Sequence, residues 1–257
     1  MMFGGVILLM IARHTDRLAG RPVMLPGAAA SNMRELFPGV RLDISAKSVE
    51  FDAQITPMLV KDDKAPLFFL EVLCCAPNTR EHETFLITTV RPSHIHAALL
   101  AIGLNPGTPG AWTLKDRTLT PVQPTGDRLS VRVAFTDKDG KDVEQNPLDW
   151  IVNAGEKTPF LSAENKVAAA RSEPAPGWMF TGSKIVKRKN ASGEEREVYD
   201  ADGSGTIIGL TTFGSEVIGW SRLISPDASA EEPEWIADFG KTPPADIKVR
   251  VRIRKAD

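Results

Sequence analysis

The chain has 257 residues, 42% of them apolar and 25% charged, with 31 Lys and Arg against 33 Asp and Glu. This composition excludes intrinsic disorder and collagen-like repeats, and a net charge of -2 leaves no basic surplus to attract nucleic acid or anionic lipid. The 20 glycines and 19 prolines point to many turns rather than long helices.

The first feature is the ten-residue apolar run Phe3 to Ala12 (FGGVILLMIA). It is far short of the ~20 residues that cross a bilayer as a helix, so no transmembrane span is expected. Its length suits the core of a secretion signal, and Ala28-Ala29-Ala30 offers a cleavage site. Against export, no Lys or Arg precedes the run, whereas Arg13, Arg17 and Arg21 follow it. Periplasmic or secreted and cytoplasmic locations therefore both stay open, and residues 1–37 are set apart as a targeting-like segment.

From Val40 the pattern becomes strand-like. Val40 to Ile44 and Val49 to Ile55 alternate apolar and charged residues around the turn-prone Ser45 to Ser48, which predicts an antiparallel hairpin. Leu67 to Cys75 and Thr84 to Val90 are apolar almost throughout and read as central strands. Cys74 and Cys75 are neighbours on one of them, so they point to opposite faces and do not bridge. Two thiols allow no Cys-x-x-Cys motif and no four-thiolate iron–sulfur cluster, and they read as small buried hydrophobes.

A helix is predicted over Ser93 to Ile102. Ser93 stands as N-cap, Ile95, Ala98, Leu99 and Ile102 form one apolar stripe, and Gly103 is the stop. A Pro/Gly-rich loop follows over Asn105 to Gly110. Leu129 to Phe135 resumes strand alternation, Asp137 to Gly140 turns into a strand near Asp142 to Glu144, and Asn146 to Ile151 is a turn or short helix. Residues 163–171 (AENKVAAAR) are helical behind Ser162 and are closed by Pro174 and Pro176. Trp178 to Ser183 opens a second series of strands that includes Thr206 to Phe213. It ends in Ile247 to Arg254, whose alternation gives one cationic face. The fold class read from this is α+β, sheet-dominated and mainly antiparallel, with one or two helices packed on the sheet. Residues 38–257 make a single domain, with a division into two sub-domains near 111–128 as the alternative.

The order of motifs resembles the YdjY-like family of bacterial proteins. Arg80-Glu81-His82-Glu83 before a strand is followed by Ile95-His96-Ala97-Ala98-Leu99-Leu100. Then come Thr136 to Lys141, Asp149-Trp150-Ile151, Trp178 to Ser183 and Ala201-Asp202-Gly203, across roughly Pro38 to Arg254. The resemblance brings no activity with it. The ferredoxin-like label of some members is not carried over, because two cysteines cannot hold such a cluster.

Three of the four histidines fall within fifteen residues: His82, His94 and His96. His94 and His96 stand about 200° apart around a helix, so they do not serve one metal. His82, Glu83 and His96 are the candidate metal ligands, with a divalent metal such as zinc as the group they would take. His82 and His96 meet if the helix folds back along the sheet or if the strand from Thr84 is shorter than Thr84 to Val90. Near the helix start, the dipole would keep the His96 ring neutral. Asp200 to Gly205 imitates the opening of a calcium loop, but position 12 is Thr211, so a tight turn is the better reading. Lys184 to Lys189 reads as a solvated hairpin. Gly182-Ser183 lacks the nucleophile-elbow sequence, and neither a phosphate loop nor a dinucleotide fingerprint is present. The functional expectation is a non-catalytic binding or interaction module for a protein or small ligand, extracytoplasmic if the leader is an export signal, with no cofactor. The alternative is a metal-dependent enzyme or metal-binding protein built on His82 and His96.

Overall fold

The computed structural model describes residues 32–61, 64, 66–115, 118–189 and 192–256. The Phe3 to Ala12 run and the Ala28 to Ala30 site lie outside the described residues. Strands β1 (Arg34–Phe37), β2 (Val40–Asp43) and β3 (Ser48–Ile55) form an antiparallel meander, so the sheet already takes in residues upstream of position 38. Val40 faces Phe51 and Leu42 faces Val49, which sets the register by pairing apolar partners on one face. β4 (Val72–Cys75) and β5 (Thr84–Ile87) follow, joined through a 3-10 turn at Glu81–Glu83. Next come α1 (Pro92–Ala101), the hairpin β6 (Ala111–Lys115) with β7 (Thr118–Val122), and the hairpin β8 (Arg128–Thr136) with β9 (Asp142–Gln145). β10 (Ile151–Asn153) and α2 (Phe160–Ala170) precede the short β11 (Trp178–Met179). The exposed hairpin β12 (Ile185–Lys189) with β13 (Glu195–Tyr199) leads into α3 (Asp200–Ser204). β14 (Thr206–Gly209), β15 (Ile218–Trp220), β16 (Trp235–Ala237) and β17 (Lys248–Lys255) complete the chain.

Eight of these strands close a ring in the order β3-β17-β8-β11-β15-β14-β4-β5, and β5 returns to β3 through Gln54 opposite Ile87 and Ile55 opposite Leu86. The pairs β4–β5 and β14–β15 are parallel, so the barrel is mixed. This corrects the expected α+β architecture of a mainly antiparallel sheet with helices packed on it. The protein is mostly β, and the described residues hold three short α-helices beside a closed wall. An eight-stranded barrel is just wide enough for side chains to fill its interior. Val49, Phe51 and Ala53 of β3 align through the β17 register with Ile253, Val251 and Val249, and Val251 and Ile253 align in turn with Val133 and Val131 of β8. All of these belong to one apolar core, together with Cys74 and the rings of Phe85, Trp150 and Phe180.

The opposite face of the same strands carries charge. Register places Arg41, Glu50, Arg252 and Arg132 in one row across β2, β3, β17 and β8. Glu50, whose side chain is only 4% exposed, accepts from Arg252 at 2.8 Å and from Arg41 at 3.3 Å, while Arg252 also pairs with Glu144. Period-two alternation therefore builds both layers of the wall.

Helix boundaries differ from the sequence reading for identifiable reasons. α1 starts at Pro92, a residue suited to the first helical position because its missing N–H would have no partner there. Ser93 is thus inside the helix, and the capping acceptor comes from a distant segment. The Asp202 carboxylate accepts from Ser93 N and Ser93 Oγ, both at 2.8 Å. α2 starts at Phe160, behind Pro159, because Phe160 is anchored against Trp220 and Trp235.

Candidate functional site

The sequence-derived metal candidates occupy two different settings. His82 lies on the 3-10 turn with 68% of its side chain exposed, and its Nε2 is 3.8 Å from Glu83 Oε2. Glu83 is held by Arg80, whose Nη1 donates to Oε1 at 2.6 Å and whose guanidinium lies 3.8 Å over the Phe213 ring. The half-buried Glu71 carboxyl neighbours the same pair. Burial first, and then the Glu83 charge, push it up to about 7.

His96 faces elsewhere. Its Nδ1 is 3.0 Å from Gly182 O and 2.8 Å from Tyr199 Oη, and its ring meets Phe180 and Tyr199 edge-on. The Tyr199 hydroxyl also donates to Gly182 O at 3.0 Å. A proton on Nδ1 serves Gly182 O, whereas a bare Nδ1 accepts from the Tyr199 hydroxyl. Burial holds His96 below its ordinary pKa and so favours the neutral ring. His94, two residues earlier, stacks on Phe37 with centroids 4.2 Å apart, so the helix sends the two rings apart. The structure brings Glu83 to His82 but gives His96 a separate set of neighbours. Among the described residues no three His, Cys, Asp or Glu side chains are grouped to hold a metal ion.

The segment Leu210 to Val217 links these settings. Leu210 N and Thr211 N both donate to Glu71 O, and Phe213 lies under Arg80. Ser215 O accepts from Ser183 Oγ at 2.6 Å, and Glu216 O accepts from Ser183 N and from Thr181 Oγ1. Ser183 Oγ also accepts from Ala201 N, so the hydroxyl is fully used in bracing the turn. That turn is tight: Gly182 has φ +77°, and a Cβ there would lie 2.6 Å from Pro106 Cβ and 3.3 Å from His96 Cε1. Glu216 is buried, with its Oε2 accepting from Ser215 N at 2.9 Å. Desolvation outweighs these backbone donors and the Lys184 charge, and pushes its carboxyl up to about 7. Sequence reasoning missed Glu71, Glu216 and Tyr199. The one signal available for Glu216 was a lone acid just ahead of the apolar run Val217-Ile218.

The calcium-like turn is the short helix α3, ended by Gly205 at φ +74°. Its acids diverge: Asp200 pairs with Arg188 at 2.6 Å and Lys184 at 3.7 Å, whereas Asp202 pairs with Arg91 at 2.8 Å and caps α1. Two cations of the basic run Lys184 to Lys189 thus have an anionic partner within the chain.

Among the described residues, none of these groups lines the three clefts of about 510 to 720 Å³. A cleft of about 720 Å³ lies between the β6–β7 hairpin, the end of α2 and the Glu173 to Pro176 segment. Its apolar wall includes Trp112, Pro121, Met179 and Leu223. Arg128, Arg171 and Arg222 supply its cations, against Glu173 and Glu231. Arg222 is committed to the buried Glu164 at 2.6 Å and to Glu231 at 3.6 Å. Arg128 donates to the Ala175 carbonyl, and neither Arg128 nor Arg171 has an acidic partner among the described residues. The arrangement suits an apolar body carrying an anionic group.

No helix among the described residues is long and apolar enough to cross a membrane. No curated protein and no solved structure matches the chain. The model of one family, the YdjY domain, matches residues 40–254, from the first residue of β2 almost to the end of β17. With nearly the whole barrel inside that match, the chain belongs to the YdjY family.

Proposed function

We propose that the protein is a non-catalytic binding module that takes a small amphipathic anion into the cleft between the β6–β7 hairpin and α2. The observation that carries this reading is the cleft itself, which combines Trp112, Met179 and Leu223 with the cations Arg128 and Arg171. Glu71, Glu216 and His96, whose pKa values are shifted toward neutral protonation states, are engaged with other parts of the chain and lie outside its lining. Ligand recognition by an apolar surface with a few placed polar groups needs no reactive residue.

The test uses 8-anilinonaphthalene-1-sulfonate, an apolar body with one anionic group, titrated by fluorescence. One molecule is expected per chain. Trp112→Ala weakens it about tenfold, the effect of removing a buried aromatic anchor. Arg171→Gln weakens the sulfonate but leaves the uncharged N-phenyl-1-naphthylamine unchanged. Equal affinity in wild type and Trp112→Ala would overturn the reading.

A further inference from the structure

The cationic face of β17 is only partly engaged in bracing the wall. Lys248, Arg250, Arg252 and Arg254 all stand on it, opposite Val249, Val251 and Ile253. Arg252 is consumed by Glu50 and Glu144. Arg250 comes no closer than 3.9 Å to Glu50, and Lys248 has no acidic partner among the described residues. Beside these two cations a groove of about 550 Å³ crosses β5, β3, β17 and the end of β8. Register sets Gln54 next to Lys248, and Asp52 next to Arg250. Thr89 closes the groove from the segment that leaves β5.

We propose that this groove is a second binding site, for a ligand bearing two or more oxyanion groups of the phosphate or sulfate kind. Lys248 and Arg250 are two residues apart on one strand face, about 7 Å along the chain, which places them under adjacent anionic groups rather than one. The Gln54 amide and the Thr89 hydroxyl have no hydrogen bond within the chain among the described residues, and they supply neutral donors beside the cations. The carboxylate in the groove, Asp52, is bound through both oxygens by Arg41, so its charge is already compensated. Thr136 at the far end is committed to Asp142 at 2.9 Å and takes no part. Charge-assisted contacts to Arg and Lys are the usual means by which proteins hold such groups.

The site does not rest on the cleft reading, and its test separates the two. Calorimetric titration of the full chain at low salt uses tripolyphosphate in one arm and a trisulfated disaccharide in the other. Binding in either arm at one ligand per chain is expected, weakened at least tenfold in Lys248→Gln/Arg250→Gln. Binding is unchanged in Arg254→Gln, which alters the same strand face outside the groove. Binding of 8-anilinonaphthalene-1-sulfonate stays at its wild-type value in the double variant. The arm that binds identifies the oxyanion, and binding in both assigns the class. Absence of binding in both arms, or an equal loss in Arg254→Gln, overturns the proposal.

Discussion

Glu164→Ala is expected to lower the unfolding free energy by about 3–5 kcal/mol, the cost of breaking a buried ion pair by removing one partner. Glu164 sits on the buried side of α2, between Phe160 and Ala168, with 1% of its side chain exposed. Its carboxylate accepts from Arg222 Nε at 2.8 Å and Nη2 at 2.6 Å, and from Trp220 Nε1 at 2.7 Å. The variant leaves a guanidinium with 12% exposure without this partner and an indole N–H without an acceptor. Urea unfolding measures the loss. Glu164→Ala/Arg222→Ala is expected to lose less than the sum of the two single changes, because the second change removes the unpaired charge left by the first. A loss under about 1 kcal/mol for Glu164→Ala would contradict the buried pair, since that is the range of an exposed one.

The second large effect depends on pH. The buried Glu216 carboxyl is pushed from 4.5 up to about 7, so between these values the folded chain holds a proton that the unfolded chain has released. Its favourable contribution is complete below about 4.5 and is lost as pH rises through 7. Glu216→Gln removes this dependence. The variant is expected to match wild type near pH 4.5 and to exceed it at pH 8 by about 3 kcal/mol, given about 1.4 kcal/mol per pH unit. Glu71 shifts in the same direction, so a residual slope persists in the variant. Comparing the two proteins by urea unfolding across this range isolates the Glu216 share. A difference that is flat with pH, or that grows toward acid, would show the carboxyl to be ionised in the folded state.

The sequence made the long strands legible and hid the closure of the barrel. Alternation over residues 40–55, 129–135 and 247–253 identifies β2, β3, β8 and β17, because each of these strands has one apolar and one charged face. The rest of the ring comes from β4, β5, β11, β14 and β15, which have two to four residues and are buried or nearly so on both faces. Such segments carry no period. The parallel pairs β4–β5 and β14–β15 and the return of β5 to β3 are long-range facts, which no local pattern encodes. The same limit applies to the sites. His96 stood out as a scarce residue on a helix, yet its partners Gly182 and Tyr199 come from 86 and 103 residues away. The Asp202 cap of α1 crosses 109 residues. The cleft is assembled from the hairpin, α2 and three later loops, none of which has a recognisable motif. The cationic face of β17 could be read directly, since strand periodicity alone defines it.

The binding reading is tested most directly by the indole N–H signals of the chain's five tryptophans, observed by nitrogen-15 NMR on tryptophan-labelled protein. Trp112 lines the cleft, whereas Trp150, Trp178, Trp220 and Trp235 are each at least 97% buried in the core. Titration with 8-anilinonaphthalene-1-sulfonate is expected to shift one indole signal, the one that disappears in Trp112→Phe, and to leave the other four in place. A titration that moves the core indoles, or leaves the Trp112 signal unmoved while the probe binds, would contradict a ligand site in this cleft.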